Sequence, residues 1–83
     1  MSLYFFDVLE NGLLYGDDEG SRHADMPSVH RTAIDGIRSI LSSSVREGIL
    51  SLRGEVRIRD EQGGAVMVVP FSEAVTQSSE LGA

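Results

Sequence analysis

The segment that decides the fold runs from residue 25 to residue 48 and reads DMPSVHRTAIDGIRSILSSSVREG. At about 100° per residue, its apolar side chains fall on one side of a helix and most charged side chains fall on the other. The apolar positions are Met26, Val29, Ala33, Ile34, Ile37, Ile40, Leu41 and Val45. This pattern predicts one long amphipathic helix whose apolar side packs against the rest of the protein.

Both ends of this predicted helix carry capping signals. Asp25 is the expected N-cap, because its carboxylate can accept hydrogen bonds from the free amides of the first turn. Pro27 lies within that turn, where a missing amide hydrogen removes no helical bond. Gly48 is the expected stop, since glycine readily adopts the left-handed conformation that ends many helices. Gly36 costs about 1 kcal/mol relative to alanine inside a helix, and we expect close approach of another backbone to explain it.

The residues before the helix are typical of a β-hairpin. Aromatic and β-branched side chains alternate with others from Leu3 to Leu9, which predicts a strand. Asn11-Gly12 is a strong signal for a tight turn, and residues 13–15 form the expected returning strand. The acidic residues 17–19 and the segment 21–24 are expected to form a polar turn and the approach to the helix.

The residues after the helix predict a second hairpin. Val56 and Ile58 alternate with charged residues from Gly54 onwards, as in a strand with one buried and one solvated face. A turn over residues 60–64 leads to a returning strand, residues 65–71, that is apolar on both faces. Pro70 is expected near the end of that strand. Residues 72–75 are expected to form one helical turn and residues 76–83 a disordered tail.

The predicted fold class is therefore α+β. The order is β-β-α-β-β, with one antiparallel sheet and a single amphipathic helix packed on one face. The chain of 83 residues allows one thin hydrophobic core, and residues 1–75 form the expected single domain. The other face of the sheet has no second helix to cover it.

The amino-acid composition excludes or disfavours several classes of function. The chain has no cysteine and a formal net charge of -6, so disulfides and thiolate metal sites are excluded and nucleic-acid binding is disfavoured. We find no signal peptide and no apolar run of about 20 residues that would span a membrane. We therefore expect a cytoplasmic protein.

Several motifs together resemble one small bacterial domain family of unknown function. They are Tyr4-Phe5-Phe6-Asp7-Val8, Asp17-Asp18-Glu19-Gly20, Asp25 at the helix start, and Val69-Pro70-Phe71 after the second hairpin turn. Members of that family typically begin with Arg-Tyr-Phe-Phe, whereas Ser2 and Leu3 replace the basic start here. The resemblance covers roughly positions 3 to 75. It implies a cytosolic bacterial protein and supplies no activity.

Metal binding has two weak candidates in the sequence. His23 and His30 flank Asp25 and could approach one another, but their spacing matches no known ligand pattern. The acidic turn 17–19 lacks the ligand spacing of a calcium-binding loop. We predict no metal and no cofactor.

No motif in the sequence is typical of an enzyme active site. No serine lies in a Gly-x-Ser-x-Gly elbow, and the chain has neither cysteine nor lysine to act as a nucleophile. The glycine-rich segments lack the Gly-Lys-Ser/Thr sequence of a phosphate-binding loop. We predict that the protein is not an enzyme.

The uncovered face of the sheet is the predicted functional surface. Its candidate residues are Phe5, Asp7, Arg57, Arg59, Val66 and Val68. An apolar surface that the chain cannot cover by itself indicates a protein-interaction or regulatory module, most simply a homodimer, formed by sheet-face packing or edge-strand addition. The alternative is a small nucleic-acid or anionic-ligand binder that uses Arg53, Arg57 and Arg59.

Overall fold

A computed structural model describes residues 1–75 and shows an antiparallel sheet with one α-helix packed across it, which confirms the predicted α+β class. The elements are β1 (Ser2–Glu10), β2 (Leu13–Tyr15), β3 (Ser21–His23), α1 (Met26–Arg46), β4 (Gly54–Arg59), β5 (Ala65–Pro70) and a 3₁₀ turn (Phe71–Ala74). The predicted disordered tail, residues 76–83, lies outside the described residues. Within residues 1–75, no helix has the length and apolar character needed to cross a membrane.

Both predicted caps of α1 are confirmed. The Asp25 carboxylate accepts a hydrogen bond of 2.9 Å from the Ser28 amide, which satisfies one of the free amides of the first turn. At the other end Gly48 has a φ of +81°. The Gly48 and Ile49 amides donate to the carbonyls of Val45 and Ser44, each at 2.9 Å. This pair of bonds is a Schellman motif, and it requires the left-handed glycine.

The sheet has the strand order β2-β1-β4-β5, and β1 forms its long central ladder with β4. The Asn11-Gly12 turn joins β1 to β2 with positive φ at both residues, as a type I′ hairpin requires. Side chains alternate between the two faces of each strand. The helix-facing side carries Phe6 opposite Ile58 and Val8 opposite Val56.

The hydrophobic core lies between this inner face, α1 and the 3₁₀ turn. Its buried side chains are Val29, Ala33, Ile34, Ile37, Leu41, Val56, Ile58, Val69, Phe71 and Ala74. Phe71 is fully buried, and its ring lies so close to Gly54 that a Cβ there would stand 2.6 Å from a ring carbon. The glycine that opens β4 therefore makes room for the aromatic ring that closes the core.

Strand β3 was not predicted, because Ser21-Arg22-His23 is short and polar and was assigned to the approach to the helix. It pairs with Ser2–Tyr4 of β1, while β2 pairs with the other end of β1. The link between β2 and β3 carries Asp17, whose side chain accepts a 3.0 Å hydrogen bond from the Phe6 amide. A side chain thus replaces the missing strand partner midway along β1.

Candidate interaction face of the sheet

The strand register places most of the predicted site residues on the face opposite α1, which we call the outer face. Phe5 lies opposite Arg59, and Asp7 lies opposite Arg57, which in turn lies opposite Val68. Leu9, Glu55 and Pro70 share this face by the same register. Val66 sits at the register shift between β4 and β5 and is 38% exposed. The register therefore places five of the six predicted residues on one face, and the interaction that we assign to this face stays a prediction.

At one end of the outer face, four residues form a cluster that we call the Arg59 cluster: Phe5, Asp7, Asp17 and Arg59. The Arg59 guanidinium donates two hydrogen bonds to the Asp7 carboxylate, from Nε at 2.8 Å and from Nη2 at 3.3 Å. Its Nη2 also donates to the Asp17 carbonyl at 3.2 Å. The guanidinium carbon stands 4.6 Å from the centre of the Phe5 ring, which is cation–π distance. One side chain therefore links β1, β4 and the link between β2 and β3.

Asp17 is held by its own set of hydrogen bonds. Its amide donates to Asp7 at 2.9 Å. One of its carboxylate oxygens accepts from the Phe6 amide, and the other accepts from the Glu19 and Gly20 amides at 3.1 Å each. Sequence analysis placed Asp17 in a solvated turn and missed this role. The available signal was the Asp followed by Gly three residues later, which is typical of a side chain that organises its own turn.

Ionisation within the Arg59 cluster follows from these contacts. Hydrogen bonding from Arg59 lowers the pKa of Asp7 below its usual value, and partial burial opposes this only in part. Burial acts to raise the pKa of Asp17, but the amide hydrogen bonds from Phe6, Gly20 and Glu19 together outweigh it, so that pKa is also lowered. The bonds to Asp7 raise the pKa of Arg59. Both carboxylates and the guanidinium are therefore charged at neutral pH.

The other arginines of the alternative hypothesis do not join this cluster. Arg57 donates from Nε to Glu55 on its own strand at 2.6 Å. Arg53 precedes β4, and its side chain is exposed. The three arginines are thus not gathered into one basic patch, and two of them are already paired with carboxylates.

An apolar strip on β5 lies beside these ion pairs. Val68 is 51% exposed, Pro70 is also exposed, and the strand contains no charged residue. On the opposite side of the same strand, Val69 is only 1% exposed and Met67 is half-buried. The strand is apolar on both faces, as predicted, and its outer side remains in contact with solvent.

The two histidines have separate surroundings. His23 is buried, and its two ring nitrogens share hydrogen bonds of 2.8 Å with the hydroxyls of Ser21 and Ser28. His30 pairs instead with Glu73 of the 3₁₀ turn. The structure does not bring the weak metal candidates together, and residues 1–75 contain no group of three potential ligands placed to hold a metal ion.

Comparison with known families gives one match. Residues 3–72 match the family described as Domain of unknown function (DUF6894). The chain belongs to this family. The match confirms the resemblance seen in the sequence and extends over β1 through the 3₁₀ turn. No curated protein and no solved structure matches the chain.

Proposed function

We propose that this domain is a non-catalytic protein-interaction module of the bacterial cytoplasm and that its outer face binds a second copy of the chain. The observation that carries this proposal is the exposed apolar strip on β5 beside a group of mutually paired charges. Apolar side chains scattered singly over a surface are normal, whereas adjacent ones that form a patch are typical of interaction sites.

Charge supports the outer face as the contact between two copies. The chain has a net charge of -6, so two copies repel each other at most orientations. On β1 and β4 of the outer face, however, Asp7 and Glu55 balance Arg57 and Arg59, and each of these acids is already hydrogen-bonded to an arginine; Asp17 adds one negative charge at the end of the face. A second copy meets little net charge there and leaves few polar groups without a partner.

The shape of β5 favours packing of sheet faces over pairing of strand edges. The register shift next to Val66 interrupts one end of the strand, and Pro70 lacks an amide hydrogen at the other. Both features are devices that limit edge-to-edge pairing in natural sheets. Only a short regular segment remains between them, so the contact relies on side chains of the face.

Anion or nucleic-acid binding by Arg53, Arg57 and Arg59 has weaker support. A phosphate would have to compete with the carboxylates that already bind Arg57 and Arg59. It would also approach a strongly acidic protein. We therefore rank this alternative below self-association.

Sedimentation equilibrium over a concentration series tests the proposal. We expect dimers at high concentration, and we expect Val68→Asp to remove them by placing a buried charge in the contact. Val45→Asp is the matched control, because Val45 is 55% exposed near the end of α1 and away from the outer face. A wild-type protein that stays monomeric at every concentration, or equal loss of dimer in both variants, would contradict the proposal.

A further inference from the structure

An apolar groove separates α1 from the edge of the sheet on the side of β2 and β3. Its volume is about 300 Å³, at the lower end of the range for small-molecule sites. Phe6 and Val8 line its sheet side, Gly36 and Ile40 line its helix side, and Asp17 and Thr32 also border it. The groove lies on the inner side of the sheet and shares only Asp17 with the Arg59 cluster of the outer face.

Gly36 leaves this groove open. A Cβ built at Gly36 has no atom within 4 Å among the described residues, so the prediction that another backbone lies close to it is wrong. Alanine would fit without a clash and would favour the helix. No protein contact within residues 1–75 requires a glycine at this position. The structural effect of Gly36 is therefore the open space that it leaves beside the helix.

The charge around the groove is net negative, although the Arg59 guanidinium also contacts Asp17 through its carbonyl oxygen. Among the described residues, Asp17 is the only ionisable residue that lines the groove, and the next two residues of the chain are the exposed acids Asp18 and Glu19. The carboxylate oxygens of Asp17 already accept hydrogen bonds from backbone amides. Asp17 therefore acts on a ligand through its negative charge and not through a new hydrogen bond. The acidic turn therefore favours a positive charge at the mouth of the groove.

We propose that the groove binds a small molecule that carries a short apolar group beside a positive charge. The apolar group lies between Phe6 and Ile40 over Gly36, where it removes exposed apolar surface from water. The positive charge lies against the turn of residues 17–19. This site shares Asp17 with the Arg59 cluster but uses no residue of β5, so it does not depend on self-association.

NMR titration with three probes of equal chain length tests the ligand class: hexylammonium, hexanol and hexanoate. We expect saturable shifts at the amides of Ala33 and Gly36, strongest for hexylammonium, weaker for hexanol and weakest for hexanoate. Equal affinities for hexylammonium and hexanoate, or no saturable shift at these amides with any probe, would overturn the proposal. This comparison uses the wild-type chain and needs no variant.

Two variants then test the groove and its charge. Gly36→Leu fills the open space and should weaken hexylammonium binding by at least about tenfold without lowering the melting temperature. Ser42→Leu adds the same side chain at an exposed helix position and should leave binding unchanged. The double variant Asp18→Asn, Glu19→Gln should bind hexylammonium about two- to fivefold more weakly and hexanol as before. Undiminished hexylammonium binding in Gly36→Leu would contradict the proposed location.

Discussion

Asp17 uses both of its carboxylate oxygens to hold backbone amides, one from β1 and two from its own turn. Asparagine has only one carbonyl oxygen, so Asp17→Asn would turn an amide donor toward at least one of these amides. We expect a loss of about 1–3 kcal/mol in the free energy of unfolding, measured by urea denaturation. Asp18→Asn is the control, because Asp18 is exposed and its substitution should change stability by less than about 0.5 kcal/mol. Equal unfolding midpoints in the two variants would contradict this role.

The lowered pKa values of Asp7 and Asp17 give the stability a defined pH dependence. Below about pH 4, the unfolded chain binds protons at these carboxyls more readily than the folded chain does. Their contribution is therefore complete above the unfolded pKa and is lost as the pH falls through the lower folded values. Urea midpoints measured from neutral to acid pH should fall at the acid end. The fall should be shallower in Asp7→Asn, and an identical profile in that variant would refute the assignment to Asp7.

At the scale of the element, β3 depends on Gly20. Its φ is +71°, and a Cβ there would stand 2.8 Å from the Tyr4 carbonyl oxygen, against the strand that β3 pairs with. Gly12 has a similar φ of +78° and nothing within 4 Å. Gly20→Ala should therefore cost clearly more stability than the roughly 1 kcal/mol expected for Gly12→Ala. Hydrogen exchange at the β3 amides, compared between the two variants, would show whether β3 is destabilised. Equal exchange rates in the two variants would contradict the role that we assign to Gly20.

The elements that the sequence predicted are those whose signals are local. The helix follows from its periodicity and two caps, and the β1–β2 hairpin follows from Asn11-Gly12. Strand β3 was missed because its pairing is non-local: its partner is the start of β1, about 19 residues earlier, and the link that leads to it is held to β1 by the bond between Asp17 and the Phe6 amide. No periodicity in three polar residues can reveal such a partner.

The same distinction applies to the candidate sites. Alternation along β1 and β4 identified the outer face, but the sequence did not show that Arg59 binds Asp7, which is 52 residues away in the chain. Gly36 was noticed as a helix-interior glycine and given the wrong reason, because the empty space beside it depends on how α1 lies over the sheet. Which residues share a face is a local property, whereas what they contact is set by the tertiary structure.

At the scale of the whole molecule, α1 covers one face of the sheet. Its buried residues Val29, Ala33 and Ile37 pack in the core, while the outer face has no covering layer in residues 1–75. The uncovered face of the sheet and the groove beside the helix are therefore the two surfaces on which our two proposals rest.

The effect of salt on binding affinity distinguishes self-association from anion binding, because the two should respond to salt in opposite directions. Two copies of -6 repel each other over long range, and raising the salt from ~20 to ~300 mM screens that repulsion. The contact itself is charge-balanced across Asp7, Glu55, Arg57 and Arg59, so screening removes little attraction. Sedimentation equilibrium should therefore show a tighter dimer at high salt. Binding of an oligonucleotide through the arginines would weaken under the same change, because salt competes with phosphate contacts. A dimer that dissociates as salt rises would mean that ion pairs between copies hold it together, which the paired charges of the outer face do not predict.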